Sequence, residues 1–178
     1  MTSTAPRSAA DRRPAAAGLT YYTVLDSPVG ELLLTATESG ALTSLSVPGQ
    51  KGGRTLQPGW QRRPEVFTAA REQLAAYFAG ELTAFHLPLA TNGSTFREQV
   101  WAALDEVPYG STTSYGALAA GIGASRAAVR AVGGAIGANP LLIVRPCHRV
   151  IGADGSLTGY AGGLERKRLL LDLEGAEV

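Results

Sequence analysis

The sequence predicts an α+β fold on three observations. Short apolar runs separated by turn signals fill residues 19–47. Apolar residues recur at helical spacing over 65–79 and again beyond residue 95. Two short helical stretches then flank Gly121-Ile122-Gly123, the form of a helix-turn-helix. The expected architecture is an amino-terminal antiparallel sheet with a helix, followed by a carboxy-terminal helical lobe that carries the helix-turn-helix and a reactive loop.

Residues 1–18 are rich in Ala, Ser, Pro and Arg without apolar periodicity and are expected to form a disordered tail. They are Arg-rich and acid-poor like a transit peptide, but lack its amphipathic repeat. Strands are expected over 19–26, 31–37 and 41–47, joined by Ser27-Pro28-Val29-Gly30 and Glu38-Ser39-Gly40 into an antiparallel meander. Residues 48–64 read as a polar loop. Val66, Ala70, Leu74, Tyr77 and Phe78 then predict a helix over 65–79, stopped by Gly80. A further strand over 82–89 and a linker over 90–94 complete a first domain at 19–90, leaving 91–178 as the second.

In the second domain Thr95 and Glu98 have capping-box spacing and open a helix bearing Phe96, Val100, Trp101 and Leu104 before Pro108. Trp101 reads as a core residue. Helices over 114–120 and 125–136 follow. Ala127, Ala128, Ala131, Gly133, Gly134 and Ala135 leave the second of these nearly bare, with Arg126 and Arg130 projecting. Such a surface suits close approach to a nucleic-acid groove, and equally tight packing against another helix.

With 178 residues, 45% of them hydrophobic, the chain supports one or two modest cores. It has no apolar run of about 18 residues and no signal peptide, so a cytoplasmic protein without membrane contact is expected. One cysteine and two histidines exclude an internal disulfide and leave no recognisable zinc quartet. Net charge is only +1, but 107–153 contains no Asp or Glu against four Arg, so this stretch carries +4 and the remainder −3. The basic charge collects where the helix-turn-helix lies.

Cys147, the single cysteine, sits in Pro146-Cys147-His148-Arg149-Val150, just beyond the helix-turn-helix. A lone cysteine is commonly a small buried hydrophobe. Here basic neighbours and the absence of acids are expected to stabilise a thiolate. Complete ionisation of a thiol near pKa ~8.5 would raise its nucleophile concentration about 30-fold at neutral pH, roughly 2 kcal/mol. Positioning of a target carbon can contribute ~7–11 kcal/mol, so the pocket matters more. In an extended segment, adjacent side chains point apart and a direct Cys147–His148 pair is awkward. A water between them, with a carboxylate orienting the far imidazole nitrogen, avoids that difficulty.

Ser114-Tyr115, the run Arg130-Ala131-Val132-Gly133-Gly134-Ala135, Asn139-Pro140, the PCHRV at 146–150, Gly159-Tyr160, Gly162-Gly163 and Glu174-Gly175 occur in one order over residues 95–175. The series resembles the O6-alkylguanine-DNA alkyltransferases, also called methylated-DNA-protein-cysteine methyltransferases. The amino-terminal lobe agrees with that family only in its sheet-plus-helix pattern.

The resemblance implies direct-reversal DNA repair, in which Cys147 takes the alkyl group from guanine O6 irreversibly, once per molecule. It implies that His148 removes the thiol proton through water, that Glu174 holds the imidazole, and that the Tyr115 hydroxyl assists the leaving base. Asn139 would be a hinge residue. The Cys147 and Val150 carbonyls and the Ala161 N–H would read the purine edge, and Tyr160 with Gly162 would complete the pocket. Arg130 would enter the base stack as the target nucleotide is flipped, with Ser114, Arg126, Ala128, Ala131 and Gly133 against the DNA. No ATP, flavin or nicotinamide motif occurs, and the implied chemistry needs neither cofactor nor metal. The implied partner is double-stranded DNA carrying O6-alkylguanine, with no obligate protein partner. Clustering of copies along DNA and action on O4-alkylthymine stay open.

Two positions depart from the family pattern. Arg145 stands where an apolar residue commonly precedes Pro-Cys, and Leu142 where some relatives carry a second proline, which leaves pocket width open. Three other functions compete. A non-catalytic binder of alkylated DNA would have replaced the cysteine, a plain helix-turn-helix repressor leaves the PCHRV, Tyr115 and Glu174 series unexplained, and a cysteine hydrolase is disfavoured by the adjacent Cys-His pair.

Overall fold

The computed structural model describes residues 18–178. The tail expected over 1–18 lies, but for Gly18, outside the described residues. Strands β1 (Tyr21–Leu25), β2 (Leu32–Ala36) and β3 (Leu42–Ser46) form the expected meander. Alternation works as the pleat requires: Leu32, Leu34 and Ala36 of β2 are buried on one face. Thr35, on the opposite face, meets the hydroxyls of Thr43 and Ser44. A register shift between Thr35 and Ala36 bends the β2–β3 pair.

Two expectations for this lobe are corrected. Residues 48–64 are not wholly loop, because β4 (Gln61–Arg62) pairs in parallel with β1 and gives the sheet order β3-β2-β1-β4. Two residues are too few to leave an alternating pattern. Residues 82–89, by contrast, form no strand. They make a single bridge, Leu42 to Leu89, because Pro88 lacks the N–H that a longer ladder needs. The expected helix over 65–79 is a 3-10 turn at Pro64–Phe67 running into α1 (Thr68–Phe78), which buries Ala70, Leu74 and Tyr77.

The second lobe begins with α2 (Thr95–Asp105), whose cap lies one residue earlier than the spacing suggested. The Ser94 hydroxyl accepts from the Arg97 N–H, while Glu98 reaches back to Gly93 N–H and the Thr91 hydroxyl. Trp101 is buried and donates its indole N–H to the Ala135 carbonyl. Ser114 caps α3 (Tyr115–Gly121). After a turn with Gly123 at φ 72°, the second helix of the pair begins as a 3-10 turn at Arg126–Ala128 and continues as α4 (Val129–Gly137). Strands β5 (Thr113–Ser114) and β6 (Val150–Ile151) pair in parallel, and α5 (Leu164–Leu173) closes the lobe.

The edge of β3 is covered by segments of both lobes. Leu42 exchanges hydrogen bonds with Pro88 and Ala90, and Leu45 with Pro140 and Leu142, so the exposed edge is covered at two places. One hydrophobic cluster accordingly runs from Leu32 and Leu34 through Leu141 and Leu142 to Leu170. The segment leading to Cys147 is therefore fixed to the first lobe as well as the second.

Candidate active site

Asn139 sets the course of the chain toward Cys147. Its side-chain oxygen accepts from the Leu141 N–H, and its amide donates to the carbonyls of Leu141 and Arg145, at 3.0, 3.3 and 3.1 Å. Between those points Ile143 is the one non-glycine at positive φ among the described residues, at 70°. The Val144 N–H bonds the Leu142 carbonyl across it at 2.8 Å, the rarer and strained form of γ-turn. A buried β-branched residue holds this conformation only where its surroundings over-determine it, and the Asn139 clamp supplies that constraint. A second γ-turn follows, from Cys147 N–H to the Arg145 carbonyl around Pro146.

Cys147 itself opens a 3-10 turn, Cys147–Arg149, which corrects the expectation of an extended segment. At about three residues per turn, consecutive side chains leave roughly 120° apart. Cys147 lines a cavity of about 570 Å³, while His148 and Arg149 both reach Glu174 at the end of α5. The cavity size suits a small organic ligand. Tyr115, Gly133, Gly134, Tyr160 and Ala161 share its wall. Parallel pairing of Thr113 with Val150 and Ser114 with Ile151 brings the start of α3, and hence Tyr115, beside this loop.

The charge arrangement reverses one expectation. Burial pushes the Cys147 thiol up to about 11, against the opposing pull of the Asn139 amide, Lys167 and Arg145. Basic neighbours do not prevail, because the thiol is only 6% exposed and its desolvation outweighs them. Roughly one molecule in 10⁴ carries a thiolate at neutral pH, a cost of about 5 kcal/mol.

The imidazole of His148 is buried and oriented by Glu174. His148 is fully buried, and burial lowers its pKa in spite of Glu174, so the ring is neutral at neutral pH. Glu174 would be raised by burial, but hydrogen bonds from His148, Arg149 and Tyr77 hold it at about 2. The carboxylate Oε1 lies 2.7 Å from His148 Nε2, so that nitrogen carries the proton and Nδ1 presents its lone pair. Among the described residues, His148 Nδ1 is one of three buried side-chain polar atoms without a protein partner. Another is the Tyr160 hydroxyl, on a residue of the same cavity.

The sequence reading missed three residues of this centre. Arg149 grips Glu174 through Nε and Nη2, both at 2.9 Å, and donates Nη1 to the Val107 carbonyl at 2.6 Å. Tyr77 reaches from α1 in the first lobe to donate to Glu174 at 2.7 Å. Lys167 is completely buried and donates to the carbonyls of Val150, Thr158 and Gly159. Burial lowers its pKa to about 8 although the nearby Cys147 opposes this. A signal for Lys167 was present: with Leu170, Leu171 and Glu174 it follows the i, i+3, i+4, i+7 stripe of a buried helix face. Tyr77 had no such signal, since its apolar spacing is satisfied by packing alone.

The remaining expected residues fall into three places. Arg126, Arg130 and Ala131 are exposed along the second helix of the pair, Ala128 is half-buried at its 3-10 turn, and Gly133 faces the Tyr115 ring. Ser114 is occupied as the cap of α3. Asn139, Val150 and Gly162 do not line the cavity: Asn139 and Val150 are buried behind it, and a side chain at Gly162 would strike the Tyr160 ring and Val47. Arg145 is also absent from the wall. Its Nε lies 3.3 Å from Asp105, and its guanidinium sits 5.3 Å from the Trp101 ring centre. Leu142 is fully buried in the core.

Comparison with known proteins gives this geometry a family. Residues 20–91 match the family model of the 6-O-methylguanine DNA methyltransferase ribonuclease-like domain, and residues 95–176 that of its DNA binding domain. The chain belongs to the 6-O-methylguanine DNA methyltransferase family. A methylated-DNA–protein-cysteine methyltransferase of Mycolicibacterium paratuberculosis is 54% identical over 156 residues, 86% of this chain and 91% of the relative. One from Methanosarcina acetivorans is 47% identical over 88% of this chain and 99% of its own. Among solved structures, Mycobacterium tuberculosis OGT in complex with DNA superposes with a TM-score of 0.80 at 50% identity, covering 87% of this chain and 92% of that one.

Proposed function

We propose that this family member repairs DNA by moving the alkyl group of O6-alkylguanine irreversibly to Cys147, one transfer per molecule. The observation that carries the reading is the buried His148–Glu174 pair directly following the buried Cys147 in the chain, with His148 Nδ1 left unpartnered. A water bridging Sγ and Nδ1 would let the imidazole take the thiol proton as sulfur attacks the alkyl carbon. The new bond is C–S, the broken bond is C–O6, and the electron pair leaves with the purine. The thiol proton passes to His148, beside the ionised Glu174; the Tyr115 hydroxyl gives its own proton to the leaving base, and the phenolate left behind is reprotonated from solvent as His148 releases the thiol proton. Burial keeps that hydroxyl protonated, and it donates to the Thr158 carbonyl at 3.0 Å.

A base within a duplex cannot reach a buried thiol, so the nucleotide is flipped at a cost of a few kcal/mol. Arg130 lies one turn before Gly133 and Gly134 on the same helix face and is placed to fill the vacated stack, with Arg126, Ala128 and Ala131 against the minor groove. Ser114 supports this surface as the α3 cap. Asn139, Val150 and Gly162 shape the pocket from behind, while Tyr160 and Ala161 meet the purine. Residues 91–178 then serve as the DNA-binding and alkyl-acceptor domain and residues 19–90 as its support. Double-stranded DNA carrying O6-alkylguanine is the partner, with the cytoplasm as the site of action; no described helix is long and apolar enough to cross a membrane.

The test is intact-mass measurement after incubation with a duplex containing O6-methylguanine. One methyl group per molecule is expected, and none in Cys147→Ser. Folded, reduced protein that gains no mass would overturn the reading, and a non-catalytic binder of alkylated DNA would take its place.

A further inference from the structure

The Cys147 cavity does not end at its own rim. Lys51, Gly52, Gly137 and Ala138 line it and also line an adjoining cleft of about 310 Å³, to which Arg54 and Arg97 belong. Lys51 and Arg54 come from the turn after β3, and Arg97 from the first turn of α2, so the cleft follows the seam of the lobes. Neither cavity nor cleft is lined by Asp or Glu. Among the described residues, Lys51, Arg54 and Arg97 are exposed and none has an ion-pair partner.

The turn that presents two of these cations is held at several points. Gln50 N–H bonds the Val47 carbonyl and Gly53 N–H the Gln50 carbonyl, at 3.2 and 3.1 Å. Gly49 and Gly52, each at φ 71°, permit the two tight bends. Lys51 N–H donates to the Ala161 carbonyl at 3.0 Å, tying the turn to the wall of the Cys147 cavity, and Arg54 N–H donates to the Ser46 hydroxyl at 3.1 Å. Three cations brought to one cleft with no carboxylate among its lining residues repel each other. An anionic ligand relieves that repulsion.

We propose that Lys51, Arg54 and Arg97 form a second cationic rim that binds phosphodiesters of the strand carrying the flipped nucleotide. The inference rests on the repair function proposed above. A base inserted into the Cys147 cavity draws its own strand across the rim, and α4 with Arg130 occupies one side of that opening. The strand leaves along the adjoining cleft, where no acid opposes its phosphates and Gly52, Gly137 and Ala138 offer little steric obstruction. The first lobe thus contributes directly to holding DNA.

Neither Arg54 nor Arg97 lines the Cys147 cavity, so the double variant Arg54→Ala/Arg97→Ala isolates the rim. Apparent affinity for an O6-methylguanine duplex, read by single-turnover mass titration at several salt concentrations, is compared with transfer from the free O6-alkylguanine base. Loss of two phosphate contacts lowers the salt slope by about 1.8 and weakens duplex affinity roughly 60-fold at 0.1 M salt relative to convergence near 1 M. Transfer from the free base, which has no phosphate, is retained, and Arg54→Lys/Arg97→Lys restores most of the duplex affinity. An unchanged slope in the alanine variant overturns the inference, as does an equal loss on duplex and free base. Wild-type protein that takes no alkyl group from duplex sinks the repair function itself, whereas reactive wild type with an indifferent variant sinks the rim alone.

Discussion

Glu174→Gln preserves the shape of the buried side chain on which the site converges and removes its charge. The carboxylate accepts from Tyr77, from His148 and twice from Arg149, all at 2.7–2.9 Å. A pKa held at about 2, against an ordinary 4.5, corresponds to about 3 kcal/mol of native-state stability. Because the folded pKa is depressed, that contribution is complete above pH 4.5 and is lost as the pH falls toward 2. The amide also turns two donor hydrogens toward Arg149, and removing one partner of a buried pair costs about 3–5 kcal/mol. At neutral pH the thermal midpoint should fall by roughly 10 °C. That deficit should shrink on acidification, as the wild type gives up the same interaction. Single-turnover transfer should slow by about 10²-fold or more, since the imidazolium formed at His148 loses its counter-charge. Thermal scans from pH 3 to 8 and quenched-flow mass analysis provide both readings. A midpoint within about 2 °C of wild type at pH 7, or a deficit equally large at pH 3, would refute the argument.

Two further results are expected. Thiolate absorbance of native Cys147 should titrate near pH 11, and stability should decline as the pH rises from about 9 through 11, because a raised folded pKa favours the native state only below the unfolded value; Cys147→Ser should lack that decline. Arg130→Ala should slow transfer from duplex far more than from the free alkylated base, with equal slowing on both excluding a part in flipping.

The fold was legible wherever one period ruled a segment. The β1–β3 strands alternate, and α1, α2, α3 and the α4 region show helical spacing, so each was expected within a few residues. Failures occurred where pairing or capping is decided in three dimensions. Residues Gln61 and Arg62 join the sheet only because β1 offers a free edge, and Pro88 interrupts what composition alone suggests is a strand. At the site, Cys147, His148 and Glu174 were legible as a motif series, but the sign of the thiol's perturbation was not. Sequence places basic residues next to Cys147. Folding turns Arg149 toward Glu174 and Arg145 toward Asp105, which leaves desolvation to dominate.

That reversal bears on selectivity. A thiol at about 11 holds roughly 300-fold less thiolate at neutral pH than an unperturbed one near ~8.5, so an alkylating agent in solution gains little from meeting Cys147. The cost of about 5 kcal/mol to ionise it lies within the ~7–11 kcal/mol that fixed geometry can supply to a bound electrophile. In the proposed step, proton removal coupled to attack by way of His148 Nδ1 would reduce the cost further, since no free thiolate need form. On the proposed mechanism, reaction depends on a group seated between Tyr115, Tyr160 and Sγ, which line one cavity, with Glu174 already ionised to offset the imidazolium charge. In the proposed single transfer each spent cysteine is a spent molecule, so discrimination in the pocket rather than in thiol reactivity protects the protein.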